Sequence, residues 1–132
     1  MIDAERVKSL LSADPYSTGL GIRLDQVGDG SITITMTVTE TMVNFHGGMH
    51  GGALFSLADC ALSLYSNSYG DRAVAIDTHM VFSSPVLPGE VLTAVVDEVS
   101  RGRSLATYRV VVRRADDRVA GHFTGTVLIL GQ

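Results

Sequence analysis

The segment from Ala53 to Asn67 is built from Ala, Leu, Phe, Ser and Tyr, with a single formal charge, Asp59, and no glycine, proline or run of β-branched residues. That composition predicts one helix over 51–67, about four turns long. A helix that is apolar around nearly its whole circumference has no face to give to water, so the rest of the chain must enclose it. At 132 residues the chain holds one domain, 1–132, and that domain has to be a wrapping around this helix. The 45% hydrophobic content supplies the interior and excludes disorder as a description of the whole.

The material for the wrapping lies on both sides. Ser31 to Glu40 alternates strictly, with Ile32, Ile34, Met36 and Val38 on one face and hydroxyls on the other, which predicts a strand buried on one side. Gly28-Asp29-Gly30 is a turn, making Gly21 to Val27 its hairpin partner. After the helix, Ala73 to Phe82, Val91 to Val99, Leu105 to Arg114 and Arg118 to Leu130 are rich in Val, Thr, Tyr and Ile, separated by turn compositions. Three consecutive hairpins are expected there. A short amphipathic helix over 3–13 opens the chain, capped by Asp3 and stopped by Asp14-Pro15. The fold class is α+β: a curved antiparallel sheet of about six strands around one long apolar helix.

Charge narrows the partners. Ten basic against 14 acidic residues give a net charge of -4, which offers no general attraction to nucleic acid or an anionic membrane. Nine of the ten cations are Arg, so an anion site would be local and suited to forked contacts with phosphate. The single cysteine, Cys60, excludes an internal disulfide and a Cys-based zinc site, and points to a reducing compartment. Residues 1–14 lack a secretory apolar core and the stretch from Ala53 to Tyr65 is too short to span a bilayer, so a cytoplasmic location is expected.

The chemistry concentrates at the entry to the helix, Asn44-Phe45-His46-Gly47-Gly48-Met49-His50-Gly51-Gly52. Gly51 and Gly52 stand where backbone N–H groups have no intrahelical partner and where the dipole favours negative charge, the geometry that stabilises an oxyanion during acyl transfer. Asp59 sits in the middle of the apolar run, where a desolvated carboxylate should have a raised pKa. Gly52, Ser56, Asp59, Ser63 and Ser66 form a narrow stripe of small and polar residues on one helix face. Gly52 and Asp59 are about 10.5 Å apart along the axis, too far for both to reach one reacting carbon. Two subunits facing each other, Gly51/Gly52 of one against Asp59 of the other, would solve the problem.

The pattern Asn44-x-His46-x-x-x-His50-Gly51-Gly52, followed by Leu54-Phe55-Ser56-Leu57-Ala58-Asp59, closely resembles the signature of hotdog-fold acyl-CoA thioesterases of the phenylacetate-pathway type, and Phe82-Ser83-Ser84-Pro85 with Pro88-Gly89-Glu90 resembles the family's turn after the first strand beyond the helix. The resemblance implies a hotdog fold, hydrolysis of acyl-CoA, and dimers associating into tetramers. It implies Asp59 as nucleophile or general base, Gly52 with Gly51 as donors to the thioester carbonyl, Asn44 positioning the carbonyl or the water, and His50 ordering the loop. Asp in place of Glu on the helix favours the phenylacetate-type branch, hence an aryl or medium-chain acyl group. No metal and no separate cofactor are expected, since coenzyme A is part of the substrate.

An acidic protein must meet the phosphates of coenzyme A with local cations, and Arg101 and Arg103, flanking Gly102 in a turn, are the candidates, with Arg72 behind them. Phe45, Met49, Phe55, Leu62 and Tyr65 are the expected apolar pocket. Asp77 and His79 share one strand face and read as surface polarity of the strand, and Cys60 reads as a core thiol. Two other functions fit the same residues: an acyl-CoA-binding module without chemistry, and a hotdog hydratase or dehydratase.

Overall fold

The computed structural model describes residues 2–131, so the two outermost positions of the single-domain reading lie outside the described residues. Two short helices open the chain, α1 (Ala4–Ser12) and α2 (Pro15–Gly19), followed by β1 (Arg23–Val27) and β2 (Ser31–Thr37). A 3-10 turn at Glu40–Met42 leads to the long helix α3 (Gly51–Ser66), and β3 (Arg72–Phe82), β4 (Val91–Arg101), β5 (Leu105–Arg113) and β6 (Val119–Gly131) complete the chain. The six strands form one antiparallel sheet in the order β1-β2-β4-β5-β6-β3. Among the described residues no helix is long and apolar enough to cross a membrane.

Local chemistry explains most boundaries. The Asp3 carboxylate accepts from the N–H groups of Glu5 and Arg6, fixing the start of α1. Asp14-Pro15, read from sequence as a stop, is also a start: Asp14 caps α2 through the Ser17 N–H and Pro15 occupies its first turn. Along β2 the alternation holds in full, with Ile32, Ile34, Met36 and Val38 buried. Strand β2 nevertheless ends at Thr37, three residues before the expected limit, because the chain turns at Glu40–Met42 to reach the helix.

The expectation of three consecutive hairpins after the helix is corrected by the topology. The β4–β5 and β5–β6 connections are hairpins, whereas β3 and β4 are not neighbours. Strand β3 lies at the outer edge against β6, and residues 83–90 carry the chain back across the molecule to place β4 beside β2. The anchor of this crossing is a pair of backbone bonds, Gly89 N–H to the Val38 carbonyl and Val38 N–H to the Glu90 carbonyl, at 2.8 and 2.9 Å. Turn composition marks where a strand ends; which strand it then joins depends on the sheet as a whole.

Helix α3 lies in the concavity of the sheet, with Leu57, Ala58, Ala61 and Leu62 fully buried. Its close seating depends on β6: a Cβ added at Gly125 would come 2.9 Å from Leu62 Cδ2. The face bearing Gly52, Ser56, Asp59 and Ser63 is not covered by strands, while Ser66, the last member of the stripe, is buried. The two edges of the sheet differ. Strand β1 is short and carries Arg23 and Asp25; β3 has 11 residues and leaves Val74, Ile76, Val81 and Phe82 exposed, Ile76 by 56%.

Candidate active site

The approach to α3 is a tight loop closed by the bridge between Val43 and Met49. Within it the Asn44 N–H donates to the Gly48 carbonyl at 2.8 Å, Gly47 N–H donates to the Asn44 carbonyl at 3.0 Å, and Asn44 Oδ1 accepts the His46 N–H at 2.9 Å. Gly47 has φ +84°, a conformation that favours glycine. His50 follows as the N-cap: its Nδ1 accepts the Gly52 N–H at 2.8 Å, so Nδ1 is unprotonated, and its own N–H is tied to the Met42 carbonyl.

The cap redistributes the donors. Gly52, set first from sequence, has its N–H occupied by His50, whereas the Gly51 N–H has no protein acceptor among the described residues. Gly51 also borders a cavity of 610 Å³, lined on one side by Asn44, Gly48 and Met49 and on the other by Phe82, Ser83 and Leu87. A Cβ at Gly51 would come 3.3 Å from the Phe82 ring, which lies beside the start of the helix. Asn44, which spends its side-chain carbonyl oxygen on the loop, also lines this cavity, and its amide nitrogen has no protein acceptor among the described residues. A free backbone N–H and a free amide on one cavity form a pair of donors suited to a carbonyl oxygen that is gaining charge.

Asp59 stands two turns along the same helix, about 12 Å from Gly51 by the helical rise. It is half-buried, and its pKa is raised from the ordinary 3.8, first by burial and then by the nearby carboxylate of Asp14. One chain therefore presents donors and carboxylate at separate places. Cys60, next to it, is buried with its thiol pushed up to about 11, again chiefly by burial, as befits a core residue.

The arginines are at the other end of the molecule. Arg101 is held by its own neighbours: it donates to the Tyr108 hydroxyl at 3.0 Å, lies 3.7 Å from Glu98 and 3.8 Å from Asp71, and stacks over Tyr69 at 4.2 Å. Arg103 and Arg72 are exposed. All three sit by the C-terminal end of α3, while the cavity is at its N-terminal end. Of the five residues expected to form an apolar pocket, Met49 alone lines a cavity. Leu62 and Tyr65 are core, Phe55 packs edge-on against Phe123 at 5.5 Å, and Phe45 is 94% exposed. Asp77 and His79 are exposed on the outer sheet face, opposite Thr126 and Thr124.

Two features escaped the sequence reading. Phe82 was placed at a strand end, with no sign that it would cover Gly51. Tyr16, on α2, forms a 2.9 Å hydrogen bond with Ser56 of the polar stripe. Asp-Pro before a short polar run is a helix-start signal and could have revealed α2.

Comparison with known proteins agrees with this geometry. The thioesterase superfamily profile matches residues 46–120, which include the long helix and strands β3 to β5. A putative esterase of Deinococcus radiodurans is 42% identical over 85% of this chain and 77% of its own length. The acyl-coenzyme A thioesterase PaaI of Escherichia coli is 32% identical over 92% of this chain and 86% of its own. The solved structure of the E. coli PaaI protein, from the phenylacetic acid degradation operon, superposes with a TM-score of 0.93 at 31% identity, covering 97% of this chain and 93% of that one. A hypothetical thioesterase protein from Streptococcus pneumoniae, solved with coenzyme A, gives 0.80 at 26% identity, covering 84% of this chain and 90% of that one. With the helix-wrapping sheet, the glycine entry and these relatives together, the chain belongs to the thioesterase superfamily, as a hotdog-fold acyl-CoA thioester hydrolase of the PaaI type.

Proposed function

We propose that the protein hydrolyses acyl-CoA carrying an aryl, phenylacetyl-like, or medium-chain acyl group, at a site shared between two subunits. The thioester carbonyl accepts the Gly51 N–H of one subunit, with the Asn44 amide beside it, and Asp59 of the partner subunit attacks the carbonyl carbon or activates the water that does. The C–S bond breaks and coenzyme A leaves as its thiol, taking a proton that comes from water; where water attacks directly the acid forms in that step, and where Asp59 attacks, water then cleaves the acyl–Asp59 anhydride, releasing the acid and restoring the carboxylate. His50 holds the cap and stays out of proton transfer.

The observation that carries this reading is the separation of an unpartnered Gly51 N–H, on a cavity of 610 Å³, from a half-buried Asp59 two turns away in the same chain. Only a second copy brings the two within bonding range of one carbon. Strand β3 offers the means: a long, exposed, apolar edge is a template for pairing with an identical edge. Antiparallel pairing of two β3 strands would also lay the start of one, at Arg72, beside the end of the other, at Phe82. In that arrangement Arg72 and Arg103 face the mouth of the opposite cavity and meet the phosphates, with Arg101 bracing their turn. The neighbour solved with coenzyme A supports this class of substrate. Such dimers would associate further into tetramers.

Release of free thiol from acetyl-, hexanoyl- and phenylacetyl-CoA, wild type beside Asp59→Asn, tests the reading. Hydrolysis by the wild type and its loss in the variant with binding retained are expected. Binding without thiol release from any member would establish a binding module instead, and hydration of an enoyl-CoA a hydratase.

A further inference from the structure

The second cavity of the molecule, 330 Å³, opens on the far side of the α3 entry, bounded by Tyr16, Leu20, Met42, Val43, Gly52 and Ala53. Thr41 and His50 line it as well, so its walls are mixed: Leu20, Met42, Val43 and Ala53 are apolar, and Tyr16 is the one phenol ring among them. Tyr16 is exposed as a residue, but its hydroxyl is fixed: Ser56 Oγ donates to the Gly52 carbonyl at 2.8 Å, which leaves Tyr16 to donate to Ser56 Oγ at 2.9 Å. One hydrogen bond, from Tyr16 to a Ser56 hydroxyl that is itself fixed on Gly52, thus ties α2 to the helix face that carries Asp59. Ser56 is one turn before Asp59 on that face and Gly52 one turn before Ser56, so the cavity and the carboxylate lie along one line. Asp14, which caps α2, is the acidic neighbour felt by Asp59, an independent sign that α2 borders the reacting carboxylate.

The carbon attacked in a thioester carries the acyl chain, so with that carbon at Asp59 the chain must run along whatever flanks the carboxylate. Toward Gly52 the flank ends in this cavity, whose walls include the apolar side chains of Leu20, Met42, Val43 and Ala53. We propose that the cavity bounded by Tyr16, Leu20, Met42, Val43 and Ala53 receives the acyl group, and that Tyr16, held by Ser56, is the specificity-determining residue that limits its width. The inference rests on the thioesterase reading above and adds to it the place and limit of the acyl group. Tyr16 and the cavity belong to the same subunit as the Asp59 they flank, while the carbonyl donors come from the other.

The test fills or opens the cavity without touching Asn44, His50, Gly51 or Asp59. Ala53→Leu adds bulk inside it, and Tyr16→Ala removes the wall; Tyr16→Phe keeps the ring and loses only the hydroxyl. For Ala53→Leu, kcat/KM for phenylacetyl-CoA relative to acetyl-CoA should fall about tenfold or more, the usual worth of a few misplaced carbons in an apolar pocket. Tyr16→Ala should shift the same ratio about threefold or more toward bulkier acyl groups, with Tyr16→Phe in between. Calorimetric binding of phenylacetyl-CoA against free coenzyme A, in the Asp59→Asn background with and without Ala53→Leu, reads the same cavity without chemistry. Loss of affinity for phenylacetyl-CoA alone upholds the assignment even if hydrolysis fails. An acyl preference unchanged by both Ala53→Leu and Tyr16→Ala, or a loss of coenzyme A binding equal to that of phenylacetyl-CoA, overturns it while leaving the thioesterase reading intact.

Discussion

Asp59 combines two roles that pull in opposite directions. In the proposed role of nucleophile or base it must be ionised, yet burial and Asp14 both favour its protonated form. With the pKa raised, the folded protein holds this proton more tightly than the unfolded chain, so the residue lowers stability as pH rises through the interval above 3.8 and exerts no penalty below it. Asp59→Asn should therefore raise Tm at pH 7, with the gain vanishing below pH 3.8, as scanning calorimetry at the two pH values would read. Thiol release should drop about 10²–10⁴-fold in the same variant, and the acid limb of the wild-type kcat/KM profile should lie above the ordinary Asp value. This residue was legible from sequence because a carboxylate in an apolar run is anomalous whatever the fold. The choice between Gly51 and Gly52 was not, since it turns on which N–H the His50 ring accepts. Arg101 was opaque for a similar reason: its acceptors, Asp71, Glu98 and Tyr108, come from a connection and two strands that only the folded sheet brings together.

Among the elements, the segment from Phe82 to Glu90 does the most to shape the cavity. Glu90 clamps it, accepting the Leu87 N–H at 2.7 Å on one oxygen and Arg114 Nε at 2.9 Å on the other. The Leu87 N–H first, and Arg114 second, lower the Glu90 pKa below 4.5, so its contribution is present above that pH and is lost on acidification. Glu90→Ala should lower stability by about 1 kcal/mol in urea titration at pH 7, with a smaller difference at acidic pH. Gly125→Ala should cost more, about 1–3 kcal/mol, by pushing Leu62 and α3 away from β6. Period and turn chemistry made the helix and all six strands visible in the sequence. The position of β3 was not visible, because strand order is decided by how α3 and the crossing at residues 83–90 share the sheet.

On the proposed reading, one chain carries only part of each site. Mixing two inactive variants, Asp59→Asn and Gly51→Val, should restore about a quarter of wild-type activity once subunits exchange, since half the pairs are mixed and each then holds one intact site. No recovery after verified exchange would place the whole site in one chain. Separately, Val74→Lys with Ile76→Lys should reduce the sedimenting mass to 14.0 kDa and abolish thiol release, although both positions are remote from Gly51. The unlike edges of the sheet have a further consequence. A strand that pairs with its own copy uses up the adhesive edge of both partners in a single event, and what remains outside is two short charged β1 strands that attract nothing. On the proposed pairing, growth by strand addition would stop at the first step, and the exposed hydrophobic edge that would make another protein a fibril former would act here as a counting device that ends at two, leaving association into tetramers to other surfaces.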